Sequence, residues 1–124
     1  MGNDYIQSSH SISSSSDERL KTIHSNVDLD INDIANTRIV DYSYNNDDES
    51  IHHVGAIAQD WKEVLPQSVS EDEEGYYSLD YSGISIVSAV TAAREIVKLK
   101  EENQTLKNRL AAIESQLGIV YEEQ

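Results

Sequence analysis

The sequence has no cysteine, no phenylalanine and a single proline among 124 residues. Without cysteine there is no disulfide framework, no thiolate zinc site and no cysteine nucleophile. The large aromatics are seven Tyr and one Trp, and hydrophobic residues make up 38% of the chain, below the usual globular share. A large self-contained core is therefore not expected, and burial between chains would help to supply what is missing. Positive charge is also scarce: 9 Lys and Arg stand against 23 Asp and Glu, a net charge of −14. So acidic a chain repels phosphate, which argues against nucleic-acid partners. No apolar run approaches the roughly 20 residues needed to span a bilayer. No basic-then-apolar secretory pattern opens the sequence, and Ile6 stands where N-myristoylation wants Ser or Thr. No membrane partner is expected.

What is present changes character along the chain. Residues 1–15 are a Ser-rich lead-in without apolar period, read as flexible or extended. From Thr22 to Ala93 there are 14 acidic residues against Arg38 and Lys62, so this stretch carries nearly all the net charge. Val27 to Ala35 places Val27, Leu29, Ile31 and Ile34 among aspartates and fits either a strand or a helix. Arg38 to Tyr44 is rich in β-formers and predicts a strand, followed by a polar turn over Asn45–Ser50. Ala56 to Leu65 predicts a helix with Ile57, Trp61, Val64 and Leu65 on one face and Pro66 as its stop. Ser68–Ser70 and Tyr76–Leu79 flank the loop EDEEG and predict a short hairpin.

The last third is the clearest element. From Ser82 to about Gly118 there is no Pro, and no Gly after Gly83 until the end. Apolar residues recur at 4-3 spacing. One position of the heptad holds Ala89, Ile96, Asn103, Leu110 and Leu117; the other holds Ala92, Leu99, Leu106, Ile113 and Val120. Such a repeat over five heptads indicates a coiled coil. The flanking positions would meet between parallel in-register chains as Glu95–Lys100, Glu102–Lys107 and Arg109–Glu114, each opposite in sign. Asn103 interrupts the seam, either as a tolerated defect or, the preferred reading, as a pin that penalises slipped registers. The expected fold class is α+β: a small mixed head over residues 16–81, then a long C-terminal helix over 82–124 that forms a parallel coiled coil, whose mixed Leu/Ile seam does not fix the number of chains.

One constellation carries chemistry. Ser16-Asp17-Glu18-Arg19-Leu20-Lys21 holds a serine and a lysine five residues apart. A neutral lysine can take the proton of a serine hydroxyl and make it a nucleophile without His or Cys. Neutral lysine is scarce in water, roughly 4 in 10,000 at pH 7, so burial would have to favour the uncharged form. Taken alone, the spacing equally fits two surface residues, or Ser16 capping a helical turn through Lys21.

The segment resembles the S-D-x-x-x-K motif that opens the C-terminal intramolecular chaperone and auto-processing domain of phage endosialidases, tailspikes, tail fibres and neck appendages. His53–Asp60, HVGAIAQD, is similar to that family's H-x-G-x-I-A-Q-E segment, with Asp60 where Glu is usual. Val64-Leu65-Pro66 resembles the stop that follows it. Tyr77–Tyr81, YSLDY, is similar to the entry into the long helix, and Ser82–Leu117 to the terminal coiled coil. The resemblance implies a homotrimer that guides the β-structured region upstream in the same polypeptide and then cuts itself free. Carried onto this chain, the bond is Ser15–Ser16, Ser16 is the nucleophile and Lys21 the general base; Asp17 belongs to the motif without an assigned role. No cofactor is implied. The setting would be the host cytoplasm during phage assembly, with the parent protein in the virion tail or neck appendage and this domain shed.

Other candidates are weaker. His52-His53 lacks a recognised metal-ligand spacing, and His10 and His24 are isolated. Asp47-Asp48-Glu49 and Glu71–Glu74 lack the calcium-loop pattern and read as solvated loops. Two other functions compete with the self-cleaving chaperone. One is an inert coiled-coil assembly module; the other is a receptor-binding tip using Tyr76-Tyr77.

Overall fold

Local hydrogen bonding decides where the elements begin and end. The computed structural model describes residues 13–118; Val120 of the expected seam, His10 and most of the lead-in lie outside them. After extended backbone, Asp30 accepts a hydrogen bond from the Asn32 N–H at 2.8 Å and so starts helix α1, Ile31–Ala35. The stretch that fits either strand or helix thus has no regular secondary structure as far as Asp30 and is helical after it. Strand β1, Ile39–Tyr42, falls inside the expected strand and pairs antiparallel with β2, His53–Ala56, from Ile39↔Ala56 to Tyr42↔His53. Helix α2, Ala58–Val64, follows, and Pro66 ends it by opening a 3-10 turn, Pro66–Ser68. The hairpin forms as expected from β3, Val69–Glu71, and β4, Tyr77–Leu79, with Gly75 at φ 91° in its turn. Asp80 caps helix α3, Tyr81–Leu117, and Gly118 in the left-handed region closes it. At 37 residues, α3 is about 55 Å long. The architecture is a small mixed strand-and-helix head followed by one long helix, an α+β arrangement.

The core is small, as the composition requires. Trp61, Leu65 and Ile84 are its buried apolar residues, ringed by Leu29, Ile34, Ala56, Val64, Val69, Leu79 and Val87. Ile84 and Val87 come from the first turns of α3, so the start of the long helix completes the head. Three buried apolar side chains, at about 1.5–3 kcal/mol each, are a small return against the entropy of ordering the head.

A second contact fastens β2 to α3. The Ala56 N–H donates to the Tyr81 hydroxyl at 3.1 Å, and a Cβ added at Gly55 would lie 2.6 Å from that same oxygen. Gly55 is therefore required by close approach. Gly55→Ala is expected to displace Tyr81 and destabilise the fold by about 1–3 kcal/mol. Tyr81→Phe removes the hydroxyl, which accepts from the Ala56 N–H at 3.1 Å and donates weakly to the Ala56 carbonyl at 3.5 Å, about 1 kcal/mol. Because both act on one contact, the double variant should lose less than the sum. Urea denaturation midpoints of the four proteins check this, and strict additivity would show that the two residues do not meet.

Candidate active site

The site lies in the extended arm that precedes α1. Asp17 begins a 3-10 turn, Glu18–Leu20, by accepting the Arg19 N–H at 2.9 Å. The Arg19 side chain closes on the same carboxylate, Nε to Oδ1 at 3.1 Å and Nη2 to Oδ2 at 2.8 Å. This guanidinium, with the Arg19 backbone N–H, holds the Asp17 carboxyl below the usual carboxylate range. The turn is completed by the Leu20 N–H donating to the Asp17 carbonyl and the Lys21 N–H to the Glu18 carbonyl. It reverses the chain enough for Lys21 Nζ to donate to Ser16 Oγ at 2.7 Å.

The capping residue is therefore Asp17 and not Ser16, because a carboxylate that also holds Arg19 takes the cap position. Ser16 is left free to meet Lys21. A 2.7 Å contact is within reach for proton transfer. With a charged lysine the ammonium donates to the hydroxyl; with a neutral amine the same geometry serves a hydroxyl that donates to nitrogen. Ser16 and Lys21 are both exposed in the single chain, as is Ser15 on the other side of the candidate bond.

The segment HVGAIAQD turns out to be structural. His53 packs in a triangle with Tyr42 and Tyr44, ring centroids 5.2–5.4 Å apart. Asp60 accepts three hydrogen bonds from Arg38: the backbone N–H at 3.0 Å, Nε at 2.9 Å and Nη2 at 2.8 Å. The short aspartate suits this position because α2 begins beside the Arg38 backbone. Arg38 holds the Asp60 carboxyl below its ordinary value. A carboxylate depressed by folding adds stability above its unfolded pKa and loses it as pH falls through the folded one. Asp60→Asn should therefore melt lower than the parent across neutral pH. That gap should close as pH falls below roughly 3.9, and melting curves measured from pH 7 to pH 2.5 check it.

The remaining candidates serve turns and packing. His52 Nδ1 meets Asp41 Oδ1 at 2.6 Å, and His24 is exposed on the arm. Asp48 Oδ1 accepts the Ser50 N–H, and Asp72 Oδ1 accepts those of Glu74 and Tyr76. These acidic loops are closed by their own carboxylates. Among the described residues no three His, Cys, Asp or Glu side chains group around a metal position. Sequence reasoning missed strand β2, the Arg38–Asp60 clamp and the Tyr81 contact. A glycine within an apolar run was the available signal for the last of these.

The expected seam residues Ile96, Leu99, Leu106, Leu110, Ile113 and Leu117 are 52–69% exposed on the single chain. Asn103 stands exposed among them.

The chain thus combines a small α+β head that presents a touching Ser–Lys pair with a long helix whose apolar residues at 4-3 spacing stand exposed. Residues 16–70 match the family described as chaperone of endosialidase, which is classed among the peptidases. Residues 16–70 are thus similar to the intramolecular chaperone domain of that family. The match opens at Ser16 and ends in β3, before the hairpin is complete and before α3. No curated protein matches the chain.

Proposed function

We propose that this chain is a self-releasing C-terminal chaperone. It assembles as a parallel homotrimer through α3, guides the β-structured region upstream in its own polypeptide, and then cuts the Ser15–Ser16 bond. The observation that carries this reading is the 2.7 Å contact between Ser16 Oγ and Lys21 Nζ in a domain similar to that chaperone family. The parent is a phage tail or neck-appendage protein assembled in the host cytoplasm, and the cut sheds the domain.

The chemistry balances with these two side chains and water. Ser16 Oγ attacks the Ser15 carbonyl carbon through a five-membered ring of Oγ, Cβ, Cα, N and carbonyl carbon. The hydroxyl proton passes to Lys21 Nζ and on to the departing Ser16 nitrogen as the C–N bond breaks. Water then attacks the ester, giving a Ser15 carboxylate and restoring the Ser16 hydroxyl under a free amino terminus. No cofactor enters either step. Intramolecular attack supplies the proximity that makes a weak nucleophile sufficient. One turnover ends the enzyme's activity, because the substrate is its own chain.

The test is a denaturing gel of the full-length polypeptide with N-terminal sequencing of any released fragment. Ser-Asp-Glu-Arg-Leu-Lys is the expected start, and Ser15→Ala should still be cut. An intact chain, or a different first residue, would return the domain to a purely structural role.

A further inference from the structure

Lys21 passes over the negative charges nearest to it along the chain. Asp17 and Glu18 stand four and three residues before it, spacings at which opposite charges meet across a helical turn. Yet Lys21 forms an ion pair with neither. Its Nζ donates instead to the neutral hydroxyl of Ser16, at 2.7 Å.

Arg19 accounts for the Asp17 half of this choice. Its backbone N–H and its Nε both donate to Asp17 Oδ1, at 2.9 and 3.1 Å, and its Nη2 donates to Oδ2 at 2.8 Å. Both carboxylate oxygens are therefore engaged, in the two-point fork that a guanidinium supplies and an ammonium does not. The fork is reciprocal: it holds the Asp17 carboxyl below its ordinary range and the Arg19 guanidinium above its own. The Arg19 side chain is 88% exposed and lies outside the core. So exposed a pair contributes little to stability. What it changes is the set of partners left for Lys21.

A free Asp17 carboxylate would act against the chemistry in two ways. It would draw the Lys21 ammonium off Ser16 Oγ, where a base has to stand to take the hydroxyl proton. It would also favour the charged form of the lysine that it held, and only the neutral amine accepts a proton.

We propose that Arg19 is a positioning residue for self-cutting: it locks the Asp17 carboxylate in the cap, so that Lys21 is left to Ser16. This rests on the self-cutting reading above and gives the motif aspartate a part in it. Asp17 shapes the turn and does not serve as the base. Arg19 acts through Asp17 alone, with no hydrogen bond of its own to Ser16 or Lys21 among the described residues.

The test follows the released fragment of the full-length polypeptide on a denaturing gel. Arg19→Gln frees the carboxylate and should slow cutting about three- to fivefold, the shift that an exposed ion pair produces. Adding Asp17→Asn to Arg19→Gln should speed cutting again. Asparagine keeps the capping oxygen and has no charge to draw Lys21. If Arg19 served only to stabilise the turn, the second substitution would leave cutting as slow or slower. Parent-rate cutting by Arg19→Gln, or no recovery in the double variant, would overturn the proposal. Recovery with Glu18→Gln in place of Asp17→Asn would make Glu18 the competing acid and overturn the part given to Asp17. Light scattering accompanies each variant, and loss of assembly by Arg19→Gln would place Arg19 in the fold instead. A parent chain that is never cut, or parent-rate cutting by Ser16→Ala, would overturn the self-cutting reading itself, which is a separate outcome.

Discussion

Ser16→Ala leaves the full-length polypeptide folded, assembled and uncut. The alanine lacks the oxygen that attacks, and among the described residues no other hydroxyl is hydrogen-bonded to Lys21 Nζ. Ser15 is adjacent and chemically alike, but it does not precede Asp17 and lies outside the turn that Asp17 caps. Lys21→Ala is expected to slow cutting by about 10²–10⁴-fold, the usual worth of a general base. Lys21→Arg separates base from spacer. A guanidinium can keep the hydrogen bond to Ser16 but does not give up its proton near neutral pH, so this variant too should remain uncut. The readout is the released fragment per hour on a denaturing gel, with light scattering beside it to show that each variant still assembles. Cutting by Ser16→Ala at the parent rate would remove Ser16 from the mechanism.

Leu106→Asp abolishes assembly and cutting together. Leu106 is 59% exposed on the single chain and stands mid-seam, with Asn103 and Leu110 on either side along the helix. Pairing the helices would bury one carboxylate per chain at the same level, and desolvating an unpaired charge costs several kcal/mol. A head with three buried apolar residues has little stability to set against that loss. The light-scattering mass should fall to one chain, and melting should move to a much lower temperature. Asn108→Asp introduces the same charge away from both seam positions and should change neither. An unaltered melting curve for Leu106→Asp would refute the seam assignment.

These expectations differ in how directly the sequence supports them. The long helix was legible because its cause is local: no proline, 4-3 spacing and a closing glycine all lie within the segment they shape. The same holds for the Pro66 stop and for the β3–β4 hairpin around its acidic loop. The Ser–Lys pair was legible as a motif. Its geometry was not, since the contact depends on Asp17 taking the cap and folding Lys21 back toward Ser16.

Strand β2 escaped because His53 and Gly55 interrupt its apolar pattern, and it becomes a strand by pairing with β1 across a polar turn. Sequence alone thus determined the acidic surface, the shortage of core, the long helix and the candidate nucleophile, all properties of composition or of neighbours along the chain. The tertiary structure decided the Arg38–Asp60 clamp and the Gly55–Tyr81 contact, which join residues 22 to 26 positions apart. It also decided which apolar side chains remain uncovered once the core is filled. Those outcomes depend on the packing of the whole head, and no short window of sequence contains it.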